Sequence, residues 1–217
     1  TRSAGARQAY LIDEPLAAAV GAEIPIEEAS GNMILNMGGG ASEAAVISLG
    51  GVVASSSVRA AGNKIDEAIA SFVRRRQNLV IGDQTAEEVK IKMGSATPLK
   101  KERKMEVKGR DSVTGLPRNI EITSTEVTEA IQAPVGKIID MVKRVLEEVP
   151  PELSSDIIDK GMVLSGGTAQ LRNLDTKLTE ELNIPVFVAE EPLLCVIKGI
   201  GEVLEHFEEF KDHLKLD

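Results

Sequence analysis

Two apolar runs in this chain each end in a turn built from residues with almost no side chain. Met33-Ile34-Leu35-Asn36-Met37 runs into Gly38-Gly39-Gly40-Ala41-Ser42, and Gly161-Met162-Val163-Leu164-Ser165 runs into Gly166-Gly167-Thr168-Ala169. Each run reads as a buried strand. The first turn leads into another strand and the second into a helix. Small residues at a strand end let backbone N–H groups approach a ligand closely, and N–H groups suit phosphate. One such turn says little. Two, each at a strand end, point to a nucleotide held between them.

The 217 residues suffice for one large domain or two small ones. Aromatic residues make up only 2% of the chain, so the core must be aliphatic, and base stacking on single-stranded nucleic acid has little to work with. The net charge of −9 also argues against a nucleic-acid partner. Residues 100–118 run the other way, with seven Lys or Arg against three acids. That stretch reads as an exposed hairpin with solvated charges, or as a docking patch. The one cysteine, Cys195, lies in an apolar helical context and reads as a buried structural thiol. His206 and His213 read as members of a solvated helix face. No apolar run is long enough to cross a bilayer.

Along the chain, residues 8–12 read as a strand with no preceding element to pair with, which predicts a missing upstream part. Glu14-Pro15 opens an Ala-rich helix to about residue 22, with Pro15 in the first turn where its missing N–H costs nothing. A three-stranded meander follows (32–37, 43–48, 52–59), turning at the glycines and again at Gly50-Gly51. Helices are predicted over 62–77 and 85–93, the second with a Thr85/Glu88 capping box. A charged hairpin turns near 111–115. A second capping box, Thr123/Glu126, opens a long helix over 125–148 that Pro150-Pro151 stops. Then come a short helix (152–159), the strand 161–165, a helix (169–182), a strand (186–188) and a terminal helix (192–213). Strands alternating with helices after a meander indicate a mixed α/β layered fold.

The order hairpin, glycine turn, strand, insertion, strand, Gly-Gly, helix resembles the actin-like ATPases, a group that includes actin, DnaK-type chaperones and sugar kinases. It is most similar to the MreB branch, the bacterial actin homologues. Five segments carry the resemblance: Tyr10 to Ala19 (strand, Glu-Pro, helix), Gly38 to Ser48 (second phosphate loop), Thr85 to Ile91 (ribose-side helix), Leu164 to Leu171 (adenosine loop) and Val188 to Leu193 (the approach to the last helix). They are collinear over nearly the whole chain. The resemblance implies an actin-like (ribonuclease H-like) α/β fold, with a mixed five-stranded sheet flanked by helices and a small α+β insertion. It implies residues 1–28 as the end of a first domain, 29–77 and 124–191 as the core of a second, 78–123 as its inserted subdomain, and 192–217 as a C-terminal helix.

The same resemblance assigns roles. Glu14 would orient the attacking water; read alone, it is an acid at a helix start. Asn36, Gly38, Gly39, Gly40 and Ser42 would hold phosphate; read alone, they are a hairpin turn. Glu87 and Lys90, three apart on one helix face, would meet ribose and adenosine; read alone, they are a surface ion pair worth about 0.3–0.5 kcal/mol. Gly166, Gly167, Thr168 and Ala169 would line the adenine side. The implied cofactors are ATP and Mg²⁺, the metal held through water near Asn36.

Two positions depart from the family. Where it usually has Asp to hold Mg²⁺ through bound waters, this chain has Asn36, which keeps an oxygen and loses the charge. Where it usually has Thr to help place the lytic water, this chain has Ala41. Both changes fall on hydrolysis and leave the phosphate-holding glycines in place. The resemblance implies a cytoskeletal protein that polymerises with itself into filaments at the inner face of the cell membrane, in the cytoplasm. It implies a membrane-spanning adaptor and the cell-wall elongation complex as partners, with lipid contact made by the missing N-terminal half. A DnaK-type chaperone ATPase, a small-molecule kinase of the same fold and a non-catalytic actin-like scaffold remain the alternatives.

Overall fold

The computed structural model describes residues 2–216. Its centre is a five-stranded sheet whose middle strand, β2 (Asn32–Met37), is buried along its whole length. The strand β1 (Tyr10–Leu11) and helix α1 (Glu14–Gly21) precede it; β3 (Ser42–Ser48) and β4 (Gly51–Val58) complete the meander. Both pairs in the meander are antiparallel. On its other side β2 pairs in parallel with β8 (Met162–Ser165), and β8 with β9 (Val186–Val188), giving the order β4-β3-β2-β8-β9. The mixed five-stranded sheet expected from the sequence is therefore present.

A strand buried on both faces needs a layer on each. Met33, Leu35 and Met37 point to one side, where α2 (Gly62–Gln77), α4 (Ser124–Glu148) and α6 (Leu174–Leu182) supply Ile65, Ile69, Ile131, Ile138 and Leu178. Ile34 points to the other side, with Ala45 and Ile47 of β3, against Leu16, Ala18 and Ala19 of α1 and Cys195 of α7 (Cys195–Glu205). The thiol is buried as expected, and burial pushes its pKa up. A smaller sheet of β5 (Leu79–Val80), β6 (Lys104–Asp111) and β7 (Pro117–Thr123) packs with α3 (Asp83–Met93). Val107 and Ile122 join the same apolar core as α2 and α4. The charged hairpin is laced by cross-strand pairs, Lys104 to Glu121 at 2.7 Å and Arg118 to Asp111 at 2.7 Å. Asp111 also accepts from the Val113 and Thr114 N–H groups at the turn, which hold its carboxyl below the usual carboxylate range. Helix α5 (Pro151–Lys160) leads into β8.

Three helices differ from the sequence expectation. The Thr123/Glu126 capping box forms, but the Thr85/Glu88 one does not. Helix α3 starts at Asp83, so Thr85 is already inside the first turn, where it cannot adopt the extended backbone of a cap. The helix predicted over 169–182 is a 3-10 turn (Gly167–Gln170), then a break, then α6. Residues 172 and 173 are taken by tertiary bonds: Arg172 bridges to Ser95, and the Asn173 amide donates to the Ser95 hydroxyl at 3.0 Å. The terminal helix breaks at His206 into α7, α8 (Phe207–Phe210) and a 3-10 turn, and β10 (Lys215–Leu216) returns to pair with β1. Phe207 packs edge-on to Tyr10 with ring centroids 4.9 Å apart, which turns the chain back.

Helices α1 and α7 cross backbone against backbone. A Cβ added at Gly199 would lie 1.8 Å from the Ala17 carbonyl oxygen, and one at Gly21 would lie 1.8 Å from that of Cys195. Gly201, on the same helix, faces open space. Gly199→Ala should therefore destabilise by about 2–3 kcal/mol, lowering Tm by roughly 5–10 °C. Gly201→Ala should leave Tm unchanged or raise it slightly, because Ala is the better helix former. Thermal denaturation of the two variants checks this, and equal Tm values would contradict the close crossing.

Candidate functional site

The parallel pairing of β2 and β8 sets Asn36 beside Ser165 in register, so both glycine turns leave the sheet from the same edge. That edge is the carboxyl end of two neighbouring parallel strands, where open α/β sheets bind ligands. Gly166 has φ +84°, and a Cβ there would lie 2.2 Å from the Met37 carbonyl oxygen, so the second turn folds tightly over the end of β2. The Thr168 hydroxyl donates to the Gly38 carbonyl at 2.7 Å and ties the two turns together. The first turn of α2 docks beneath: Gly62 N–H donates to the Gly38 carbonyl at 3.2 Å and Asn63 N–H to that of Gly39 at 2.8 Å. Ala61 has no polar side chain to cap α2, so the loop carbonyls satisfy its first N–H groups instead. The N–H groups of Gly39 and Gly40 make no hydrogen bond among the described residues and are free for an anion.

A cleft of about 670 Å³ opens over this junction. Of the residues expected at a site, Glu14, Asn36, Gly38, Gly39, Glu87, Lys90, Gly166, Gly167 and Thr168 line it. Three do not. Gly40 sits at the exposed tip of the turn. Ser42 is fully buried and its hydroxyl donates to the Ala60 carbonyl at 2.6 Å, which turns it away from any ligand and staples the loop to β4's exit. Ala169 packs into the core. Ile91, Gln170, Leu171 and Leu193, within the segments that carry the resemblance, line the cleft too, and sequence reasoning missed Gly62, Asn63 and Ile65 of α2, Gly94 after α3, Arg172 after the second turn and Val196 of α7. The Gly62-Asn63 pair at a helix start, right after the meander, is a readable signal; Ile65, Gly94, Arg172 and Val196 carry none.

The ribose-side pair is wired differently from the expectation. The Lys90 ammonium lies 4.0 Å from Glu87 but 2.9 Å from Asp66, on α2, and 3.5 Å from the Gly62 carbonyl. Burial pushes the Asp66 carboxyl up while Lys90 pulls it down. The salient contact of Lys90 is thus an inter-helix bridge rather than an i,i+3 surface pair.

At the opposite end, Asn36 is 3% exposed. Its side-chain NH₂ donates to the Glu14 carboxylate at 2.7 Å, and its oxygen accepts from the Ser165 hydroxyl at 3.0 Å. A carboxylate can only accept, so the amide has one workable orientation. Glu43 lies opposite Asn36 across the β2–β3 pair and is pushed up by burial and then by the charges of Glu14 and Asp13. The residues present do not fit a water-mediated hold on Mg²⁺ near Asn36: both polar atoms of its amide are engaged, the NH₂ by Glu14 and the oxygen by Ser165, and the group carries no negative charge for a hydrated dication.

A family model described as MreB/Mbl protein matches residues 1–212. Cell shape-determining protein MreB of Escherichia coli strain K12 is 52% identical over 204 residues, covering 94% of this chain and 59% of that protein. Cell shape-determining protein Mbl of Bacillus subtilis strain 168 is 46% identical over 204 residues, covering 94% and 61%. The chain thus spans about three fifths of the length of the curated relatives it matches. The crystal structure of MreB5 of Spiroplasma citri bound to ADP superposes with TM-score 0.93 at 36% identity, over 97% of this chain and 64% of that one. The AMPPNP-bound form gives 0.88 at 38% identity, over 92% and 60%. The MamK double helical filament shares the fold, with TM-score 0.75 at 21% identity over 89% and 58%. The actin-like fold read from the sequence is the fold of these neighbours, and the chain belongs to the MreB/Mbl family.

Proposed function

We propose that this chain is the nucleotide-holding part of an MreB-like cytoskeletal ATPase that binds ATP in the cleft, polymerises, and hydrolyses slowly. The observation that carries the reading is the meeting of two glycine turns at the ends of neighbouring parallel strands, with free N–H groups on the first and Lys90 across the cleft. Membership of the MreB/Mbl family removes the chaperone and the small-molecule kinase as readings. MreB5 of Spiroplasma citri binds AMPPNP and ADP. On this reading Gly38 and Gly39 face phosphate, Glu87 and Lys90 face the ribose, and Gly166 to Thr168 face the adenine. Gly40 contributes only its N–H, and Ser42 and Ala169 support the loops from behind.

The rest of the reading concerns the whole protein. Residues 1–28 would close a first domain, 29–77 and 124–191 would form the second with 78–123 inserted in it, and 192–217 would be the C-terminal helical segment. ATP held between the domains would favour head-to-tail filaments at the inner face of the membrane, guiding cell-wall elongation through a membrane-spanning adaptor. Lipid contact would belong to the other half. A non-catalytic scaffold is the second reading, favoured by Asn36 and Ala41. Filaments that form equally well without nucleotide, seen by electron microscopy, would select it.

Slow hydrolysis follows from two missing functions. Ala41 has no hydroxyl to help place a water, and Asn36 lacks the negative charge of an Asp. Two measurements check the proposal. A Cβ at Gly38 meets nothing closer than 3.7 Å in the protein, so Gly38→Val should fill ligand space without unfolding the chain. Calorimetric titration of the full-length variant should show ATP affinity reduced about tenfold or more, or about 1.4 kcal/mol, with Tm within a few degrees of wild type. Unchanged affinity would contradict the site. For hydrolysis, the Asn36→Asp/Ala41→Thr double variant should release phosphate about tenfold faster than wild type in Mg²⁺. Equal rates would refute the slow-hydrolysis reading.

A further inference from the structure

We infer that this cleft takes its nucleotide without a divalent cation bridging it to the protein, because Asn36 does with a hydrogen bond what a metal would otherwise have to do. The inference rests on the nucleotide reading above and goes beyond it.

Asn36, Ser165 and Glu43 lie in one row across the sheet, on the face that α1 covers. Glu14, at the start of α1, reaches into the end of that row. With a carboxylate at residue 36, Glu14 and its neighbour would stand at hydrogen-bond distance with like charges, and Glu43 would add a third. Two carboxylates this close either share a proton, so that one is neutral, or need a cation between them to stay ionised together. Such a site is incomplete without its metal. Asparagine removes the problem at its source. It is nearly the same shape as Asp, it presents NH₂ to Glu14, and Ser165 fixes the amide by donating to its oxygen. The Glu14 carboxylate is therefore neutral-partnered and held in place in the free protein.

Phosphate recognition is also provided for without a metal. The free N–H groups of Gly39 and Gly40 supply donors, and Arg172 and Lys90 stand at the cleft wall, the latter sharing its charge with Asp66. None of these groups depends on a dication for its position. Glu14 held by Asn36 has one oxygen engaged, which also restrains its freedom to turn toward a water.

Two experiments on the full-length protein test this. In the first, ATP and ADP affinities are measured by calorimetry in Mg²⁺ and in excess EDTA. Affinities within about threefold of each other are expected. A loss of tenfold or more in EDTA overturns the inference while leaving the nucleotide reading intact. No binding in either condition overturns the nucleotide reading, and the inference with it. In the second, the Asn36→Asp variant is melted without nucleotide in EDTA and in Mg²⁺. Its Tm should fall below wild type in EDTA and recover in Mg²⁺, whereas the wild-type Tm should not respond to Mg²⁺. Adding Glu14→Gln to that variant should abolish most of the Mg²⁺ response, because one of the two facing charges is gone. A wild-type Tm that rises with Mg²⁺ as much as that of Asn36→Asp would overturn the inference.

Discussion

The parallel pairing of β2 with β8 is the contact on which everything at the cleft depends. The two strands are separated by most of the chain, yet their register sets Asn36 against Ser165 and brings two glycine turns to one edge. The pairing works because β2 is buried along its whole length, covered on both faces, with the Asn36 side chain on one of them satisfied by Glu14 and Ser165. It then needs Gly166, since any side chain there would collide with the Met37 carbonyl. The Thr168 hydroxyl closes the junction by satisfying the Gly38 carbonyl. Strand pairing, turn conformation and the clasp between loops are one construction.

The second layer of the sheet decides where the chemistry sits. Helix α1 lies close to the sheet because its middle is the small run Ala17-Ala18-Ala19 and because it can cross α7 glycine against glycine. That crossing fixes the axis of α1, and the axis fixes Glu14 at the end of the Asn36 row. A packing feature away from the cleft thereby sets the place of a carboxylate that lines it. On the other wall, Asp66 anchors Lys90 from α2, so the ammonium is positioned by an inter-helix bridge with partly buried partners. Partial burial makes such a bridge stiffer than an exposed pair, although its net contribution to stability is small.

Much of this was legible in the chain itself. The strands of the meander, helix α2 and the Thr123 capping box follow from periodicity and capping chemistry, both local. Helix α4 was readable even through Pro134, because its apolar stripe continues on both sides. What failed were mostly places where a distant partner overrides local preference, Arg172 and Asn173 drawn to Ser95 and His206 broken as Phe207 meets Tyr10; Thr85 failed for a local reason, a helix that starts two residues earlier. At the site, the glycines and Glu14 announced themselves through motif order. Asp66 did not, since nothing in its neighbourhood of the sequence mentions Lys90. Ser42 misled because a hydroxyl next to a glycine loop resembles a ligand group, whereas its geometry serves the Ala60 carbonyl.

The central claim is that the two glycine turns jointly grip a nucleotide. The measurement that tests it most directly is a crystal or cryo-electron-microscopy structure of the full-length protein with AMPPNP. The account predicts phosphate oxygens within hydrogen-bond distance of the Gly39 and Gly40 N–H groups and the base against Gly166 to Thr168, with Asn36 still bonded to Glu14. Nucleotide bound elsewhere, or a cleft that stays empty at saturating AMPPNP, would contradict it.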